Sequence, residues 1–362
     1  MKHLDEYRDT AGIKQVLSAL ENTVTKPWTV MEVCGGQTHS IVRYGLDQLL
    51  PAGLELIHGP GCPVCVTAPQ YIDQAIALAL TPGITVCSFG DMLRVPGSNT
   101  DLLSARAAGG QVEIVYSPME ALALAEQNPG QEVVLFAVGF ETTAPATAMA
   151  VHQAARRGLN NFSIINAHVR VPPALEAILS SQDTTVQGFL AAGHVCTIMG
   201  LHEYEPIAEK YRVPIVVTGF EPFDLLCGLY QCVRQLEQGI ARVENAYARL
   251  VQPAGNISAQ ALMKQVFTVE DRTWRGLDLL ADGGFGIREN YLAFDAMQKY
   301  AMPATIAPCA TRCQAGSILR GLKRPPQCPE FGGACTPETP LGAPMVSSEG
   351  ACAAYYNYRE IS

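Results

Sequence analysis

The sequence is poor in charged residues and has no long apolar run. Only 16% of its 362 residues are charged whereas 48% are apolar, so the chain can bury a sizeable core and is not a disordered protein. No uninterrupted apolar stretch reaches the roughly 18 residues that a membrane helix needs, so no membrane association is expected. Acidic residues outnumber basic residues by 34 to 25, which argues against nucleic acid as the main partner.

A secretory leader is also lacking. Acidic residues are spread through the N-terminal segment MKHLDEYRDTAGIKQVLSAL, which has no apolar core of the kind that signal peptides contain. We therefore expect a cytoplasmic protein, whose thiols are kept reduced. Twelve cysteines in that compartment are better explained as metal ligands, redox groups or small buried residues than as structural disulfides.

Apolar runs alternate with helix-like segments along the first two thirds of the chain. The runs are WTVMEV, LELI, ITVCSF, VEIVY, EVVLFAV, FSII, GFLAA and PIVVT. This alternation predicts βαβ units and an α/β fold with parallel sheet, covered on both faces because the runs are apolar throughout. The segment EVVLFAVGFETTAP (132–145) is echoed by PIVVTGFEPFD (214–224), which indicates either a duplication or the common appearance of strand-to-helix turns. Helical segments are then predicted at VRQLEQGIARVENAYARLVQ and SAQALMKQVF.

Histidine and cysteine residues follow several of the predicted strands. Cys34 and His39 follow WTVMEV, and His194 follows GFLAA. Ligands bind beyond the carboxyl ends of the strands in parallel sheets, so these side chains are candidate site residues. Cys34 could bind a soft or borderline metal together with His39, act as a nucleophile activated by histidine, or be an inert buried thiol.

The segment GPGCPVC (59–65) contains the one CxxC motif of the chain, Cys62 and Cys65. The following residues Thr67–Gln70 are typical of a helix capping box, which predicts that Cys65 lies just before a helix N-terminus. The helix dipole would favour a thiolate there, as thiol–disulfide exchange requires. A redox pair is favoured, while a tight turn with two buried cysteines and half of a zinc site remain open.

The segment from residue 303 to 345 is rich in Pro, Gly and Cys and shows little periodicity, so something other than an apolar core must hold it. Four widely spaced thiolates could do so. Structural zinc usually uses close cysteine pairs, so this spacing favours an iron–sulfur cluster, with Cys309 as a rival ligand. The candidate ligands are Cys313, Cys328, Cys335 and Cys352.

Several long motifs together resemble one known family. They are MEVCGGQTHSIVRYG, GPGCPVCVT, DMLRVPGS, VGFETTAP, CPEFGGACTPETPLG and MVSSEGACAAYY. From about residue 30 to the C-terminus, the chain is similar to the hydrogenase maturation factor HypD family. The resemblance implies two related Rossmann-like parallel-sheet domains and a C-terminal helical and irregular region that holds an iron–sulfur cluster.

For this chain the resemblance implies four regions. We expect an N-terminal helix in residues 1–30 that packs on the C-terminal region. A first α/β domain is expected at 31–130 and a second at 131–235. The cysteine-rich C-terminal region is expected at 236–362.

The implied function is assembly of the Fe(CN)2CO unit of [NiFe]-hydrogenases. The family works in complex with the small chaperone HypC, while HypE, supplied by HypF, delivers cyanide, and the product is destined for the hydrogenase large subunit. This is the role of a redox-active assembly scaffold and not of a typical turnover enzyme.

The resemblance also implies roles for particular residues. Cys34 would contact the transient Fe(CN)2CO iron together with the chaperone's N-terminal cysteine, and His39 and His194 would line that cleft. Cys62 and Cys65 would be a redox pair that exchanges electrons with a [4Fe-4S] cluster. The cluster ligands would be Cys313, Cys328, Cys335 and Cys352.

One departure from the family pattern is Gln37, which stands where a histidine is more common and removes one possible ligand. An alternative function is a thioredoxin-like protein-disulfide oxidoreductase with a structural metal site, for which Cys62 would be indispensable and Cys34 would matter little. A third possibility is a zinc-stapled binding module without a redox role.

Overall fold

The computed structural model describes residues 8–301 and 311–359, and nine strands of that part form two separate parallel sheets. The first sheet has the strand order β2-β1-β7-β8-β9 and the second has the order β4-β3-β5-β6. The strands are β1 (Trp28–Glu32), β2 (Leu54–His58), β3 (Ile84–Ser88), β4 (Val112–Ile114), β5 (Glu132–Gly139), β6 (Phe162–His168), β7 (Gly188–Ala192), β8 (Ile215–Thr218) and β9 (Val243–Asn245). The predicted α/β class with parallel sheets is confirmed.

Helices follow most strands, and β3, β7 and β8 are buried along their whole length because both faces of the sheets are covered. The α-helices are α1 (Thr10–Thr23), α2 (Gly35–Tyr44), α3 (Pro63–Val66), α4 (Pro69–Ala79), α5 (Leu102–Ala107), α6 (Pro118–Gln127), α7 (Ala144–Arg157), α8 (Val171–Ser180), α9 (Gly193–Met199), α10 (Glu205–Tyr211), α11 (Pro222–Gln238), α12 (Ile257–Val266), α13 (Ala296–Lys299), α14 (Ala315–Leu319) and α15 (Ala351–Tyr358). None of the helices in the described part of the chain is long and apolar enough to cross a membrane.

The predicted domain boundaries at 31–130 and 131–235 are wrong. The first sheet takes β1 and β2 from the start of the chain and β7 to β9 from residues 188–245, and the whole second sheet lies between them in sequence. Strand β1 pairs on one side with β2 and on the other with β7. The apolar pattern shows where strands lie but not which strands pair. Each domain was therefore expected to be one continuous stretch of the chain, since consecutive strands usually lie side by side.

The N-terminal helix α1 packs on α11 and not on the C-terminal region, which corrects a second expectation. Its buried residue Leu20 belongs to the same apolar cluster as Leu225 and Leu229 of α11. Asp9 caps the start of this helix, because its carboxylate accepts a hydrogen bond from the Gly12 amide at 2.7 Å. An amphipathic pattern shows that one face is buried but does not say against which element.

The long helix predicted across residues 233–252 is also shorter than expected. Helix α11 ends at Gln238 because Gly239 adopts a left-handed conformation with φ of 66° and closes the last turn. The next residues form β9, which adds an edge strand to the first sheet beside β8.

An antiparallel hairpin of β10 (Phe267–Trp274) and β11 (Asp278–Ile287) contacts both the second sheet and the loop that carries the CxxC motif. Trp274 forms a bridge with Thr67, just after the CxxC motif. The buried Arg272 donates to the carbonyl of Asn166 in β6 at 2.5 Å. The hairpin therefore fixes the position of the CxxC loop relative to the second sheet.

We expect Leu20→Ala to lower the free energy of unfolding by about 2–5 kcal/mol, as large-to-small changes in packed cores do, because Leu20 is fully buried between α1 and α11. Leu49, which is 53% exposed, is the control, and Leu49→Ala should change stability by less than about 0.5 kcal/mol. Urea unfolding of both variants measures the difference. Equal stability of the two variants would show that α1 does not contribute its buried face to the core.

Candidate functional site

Cys34 lies at the carboxyl end of β1 and is the residue immediately before helix α2. Its side chain is 1% exposed, and its sulfur lies 3.6 Å from Nδ1 of His194, the second residue of α9. Burial raises the pKa of the Cys34 thiol and lowers the pKa of His194 to about 4. The pair is therefore a protonated thiol beside a neutral imidazole, and both can become metal ligands once a cation replaces the thiol proton.

Glu32, the last residue of β1, organises the loops around Cys34. Its fully buried carboxylate accepts hydrogen bonds from the Cys34 amide at 2.8 Å, from the Thr38 hydroxyl, and from Nδ1 of His58 at 2.7 Å. Because His58 ends β2, the carboxylate joins the ends of two neighbouring strands. The sequence analysis missed this residue, although an acid inside the otherwise apolar run WTVMEV was a signal.

The CxxC loop lies directly on the Cys34 loop. The Gly35 amide donates to the Gly61 carbonyl at 2.7 Å, and the Gly59 amide donates to the Glu32 carbonyl at 2.8 Å. A Cβ atom at Gly61 would lie 2.1 Å from the backbone nitrogen of Cys34, so only glycine permits this approach. The three cysteines of the two loops are therefore held in adjoining segments of backbone.

Cys62 and Cys65 are free thiols. Cys62 lies immediately before helix α3, and Cys65 lies within that helix. The Cys65 amide donates to the Cys62 sulfur at 3.3 Å, which is the geometry of an N-terminal cap. Both side chains are buried, with exposures of 3% for Cys62 and 1% for Cys65. Cys62 and not Cys65 thus occupies the start of a helix.

The predicted capping box at Thr67–Gln70 is wrong. Helix α4 begins at Pro69 as expected, but its preceding residue Ala68 makes no capping side-chain bond. Thr67 ends α3 instead, and its hydroxyl donates to the Pro63 carbonyl at 2.8 Å. Burial, followed by the interaction with Cys62, raises the pKa of Cys65 well above that of a free thiol, so the expected low-pKa thiolate at Cys65 is also wrong.

The four C-terminal cysteines line a single small cavity. Cys335 accepts a hydrogen bond from the Leu341 amide at 3.4 Å, and burial is the main cause that raises its pKa. No three histidine, cysteine or carboxylate side chains among residues 8–301 and 311–359 are close enough to hold a single metal ion. The cysteines around the cavity are Cys313, Cys328, Cys335 and Cys352.

The CxxC loop and the four-cysteine cavity are neighbours. Helix α3 packs on a 3-10 turn at Ala343–Met345, two residues of which, Pro344 and Met345, line the cavity. Cys352 is also close enough to Cys65 to raise the pKa of the Cys65 thiol. The CxxC loop and the C-terminal cysteines therefore lie close together, as electron exchange between them would require.

His39 and Gln37 both lie on helix α2, which directly follows Cys34, but they make different contacts. Nδ1 of His39 is 3.1 Å from the Ser348 carbonyl oxygen, and its ring packs edge-on against Tyr358. Gln37 is buried and donates to the Ala191 carbonyl at 3.2 Å, leaving its Oε1 atom without a partner in the described part of the chain. A role of His39 at the Cys34 site stays a prediction.

The remaining cysteines fit their interpretation as small core residues. Cys87, Cys196 and Cys232 are fully buried, Cys227 is half-buried, and burial raises the pKa of each thiol. Cys309, the rival ligand, lies outside the residues that the structure describes.

The fold and the site define a class: an α/β protein that gathers three buried thiols and a neutral imidazole at strand ends, beside a cavity lined by four cysteines. The family model HypD, described as "Hydrogenase formation hypA family", matches residues 11–359. The chain belongs to the HypD family.

Curated relatives cover almost the whole chain. It is 47% identical to "Hydrogenase maturation factor HypD" of Rhodobacter capsulatus, over 99% of this chain and 98% of the relative. It is 48% identical to the protein of that name from Azotobacter vinelandii, over 99% and 97%. It is 45% identical to that from Escherichia coli (strain K12), over 99% of both chains.

We expect Gly61→Ala to destabilise the protein by about 1–3 kcal/mol, as overpacking does, because the added methyl group overlaps the backbone of Cys34. Gly90→Ala is the matched control, since a Cβ atom at Gly90 meets no atom within 4 Å. Thermal unfolding and the rate of Cys34 alkylation measure the effect. An unchanged Tm and an unchanged alkylation rate would contradict the close contact of the two loops.

Proposed function

We propose that this protein is a hydrogenase maturation factor that scaffolds assembly of the Fe(CN)2CO unit of [NiFe]-hydrogenases. The observation that carries the proposal is the Cys34 sulfur at 3.6 Å from His194, at the meeting point of three strand ends. A thiol and a neutral imidazole are suitable ligands for iron, and the burial of Cys34, beside a half-buried His194, would limit the access of water to a bound ion. Membership of the HypD family supports the same role.

The incoming iron is cargo in this proposal and not a resident cofactor. Cys34 would provide one thiolate after losing its proton, and the N-terminal cysteine of a HypC-type chaperone would provide a second. His194 would contact the iron, and His39, on the helix α2 that follows Cys34, would line the same cleft. A HypE-type protein, supplied by HypF, would deliver cyanide, and the hydrogenase large subunit would receive the product.

Cys62 and Cys65 are proposed to interconvert between a dithiol and a disulfide, a change of two electrons and two protons. Their spacing of three residues on one helical turn and the contact of the Cys65 amide with the Cys62 sulfur support this role. Their burial means that the exchange requires a partner inside the assembled complex, because solvent reagents reach buried thiols poorly.

Cys313, Cys328, Cys335 and Cys352 are proposed to hold a [4Fe-4S] cluster. Four cysteines around one cavity form the donor set of such a cluster, and no group of side chains in the described ranges is gathered closely enough for one ion, which favours a larger group over zinc. When bound, the cluster would accept or donate single electrons next to the dithiol loop.

A thioredoxin-like protein-disulfide oxidoreductase is the second candidate function. The placement of Cys62 immediately before helix α3, with Cys65 on the first turn of that helix, supports it. The two functions differ in which cysteine they need: the scaffold requires Cys34, whereas the oxidoreductase requires Cys62 and tolerates a change at Cys34.

We expect Cys34→Ala to abolish hydrogenase maturation, measured as hydrogenase activity in a strain that lacks its own copy of this gene. Iron binding by the purified complex with the chaperone should be lost in parallel. Cys87→Ala removes an equally buried thiol from the centre of the second sheet and should retain both properties. Full maturation with Cys34→Ala, combined with complete loss in Cys62→Ser, would instead support the oxidoreductase.

Protein purified without oxygen should contain about four irons and four acid-labile sulfides in the C-terminal site, with a broad absorption band in the visible. Changing Cys335 to Ser should remove the band and lower the Tm together, because the segment around it has little other core. Metal analysis and thermal unfolding test both points. One zinc per chain without sulfide would refute the cluster and leave a structural metal site.

A further inference from the structure

The residues Trp274–Gly276 at the end of β10 connect the CxxC loop to the four-cysteine segment. On one side the Arg275 amide donates to the Val66 carbonyl at 2.8 Å. On the other side Gly276 packs against Gly316 of α14, three residues after the first cavity cysteine, and a Cβ atom at Gly276 would lie 2.8 Å from the Gly316 Cα atom. This short turn therefore touches both halves of the candidate site.

The Arg275 side chain is fixed at this junction by main-chain oxygens. Its Nε atom donates to the Thr67 carbonyl at 2.9 Å, and its Nη2 atom donates to the Pro96 carbonyl at 2.7 Å. Arg275 and Cys313 line the same groove, which has about 1650 Å³ of space between atoms. Neutral carbonyls orient a guanidinium without cancelling its charge, so the positive charge is available to its surroundings.

The electrostatic surroundings agree with this placement. Burial lowers the pKa of Arg275 to about 10, whereas Cys313, Cys65 and Asp73 each act to raise it. Asp73 is itself held by the Ser98 amide at 2.8 Å and the Ser98 hydroxyl at 2.6 Å. The guanidinium thus stays charged at neutral pH and faces cysteines of both functional groups.

We propose that Arg275 is a positioning residue that stabilises negative charge on the group held by the four C-terminal cysteines, and so sets its reduction potential. The inference rests on the proposed function, because it concerns the cluster that these cysteines would hold. Four thiolates make such a group anionic, and its reduction adds one further electron. A nearby fixed cation stabilises the reduced state more than the oxidised state, since Coulomb energy scales with charge.

The experiment is a redox titration of the purified, oxygen-free protein, followed by its visible and electron paramagnetic resonance spectra. Arg275→Gln keeps hydrogen-bonding capacity but removes the charge. It should lower the ratio of reduced to oxidised protein about tenfold at a fixed potential, which is a shift of about 59 mV for one electron. Arg275→Lys should retain most of the wild-type potential.

Arg312→Gln is the matched control. Arg312 immediately precedes Cys313 in the chain, but its side chain is 71% exposed and pairs with Glu330 at 3.2 Å. Solvent and salt screen an exposed charge, so this variant should shift the potential much less than Arg275→Gln. The effect of Arg275 should persist at high ionic strength, because buried charges are screened less.

A wild-type potential in Arg275→Gln, with full iron and sulfide content, would overturn the inference. Should Arg275→Gln fail to hold the group, retention by Arg275→Lys at the wild-type potential supports the need for a cation. Loss in both variants, with retention in Arg312→Gln, would overturn it in favour of a purely structural role. Absence of iron and sulfide from the unchanged protein is a distinguishable result, because it refutes the proposed cluster and, with it, the role of Arg275, whatever the variants do.

Discussion

The buried carboxylate of Glu32 is the interaction on which the site depends. It accepts hydrogen bonds from the Cys34 amide, the Thr38 hydroxyl and the His58 ring, and so satisfies a charge that is costly to remove from water. Strands β1 and β2 are parallel neighbours in which Glu32 is directly opposite His58. The register of one strand pair therefore decides that the Cys34 loop and the CxxC loop begin at the same level.

The depth of the site has a chemical consequence for its thiols. Burial raises the pKa of Cys34 and Cys65 and lowers the pKa of His194, so every one of these groups is favoured in its neutral form. Buried thiols in their neutral form react slowly with solvent oxidants. A metal cation that enters changes this balance, because it replaces the thiol proton and supplies the positive charge that the thiolate lacks.

The sequence predicted the strands and the candidate cysteines better than their arrangement. All eight apolar runs are strands. A strand can be recognised from a local run of apolar residues bounded by turns, so its prediction does not require knowledge of its partners. The pairing of β1 with β7 could not be predicted, because it joins segments more than 150 residues apart. The roles of Glu32 and Arg275 were missed for a related reason: each depends on partners that are distant in sequence. The acid within WTVMEV is visible in the sequence, but its contact with His58 is not, and neither are the contacts of Arg275 with Thr67 and Pro96.

The C-terminal segment connects these features. Its helices α14 and α15 are short, and three of the six residues in its own buried cluster are cysteines, so the other apolar side chains of that cluster contribute little to its order. A group bound by four thiolates would supply folding free energy that the apolar contacts lack. The turn at Ala343–Met345 packs on α3, and its residues Pro344 and Met345 line the four-cysteine cavity. One packed element thus borders both the C-terminal cysteines and the backbone that carries Cys62 and Cys65.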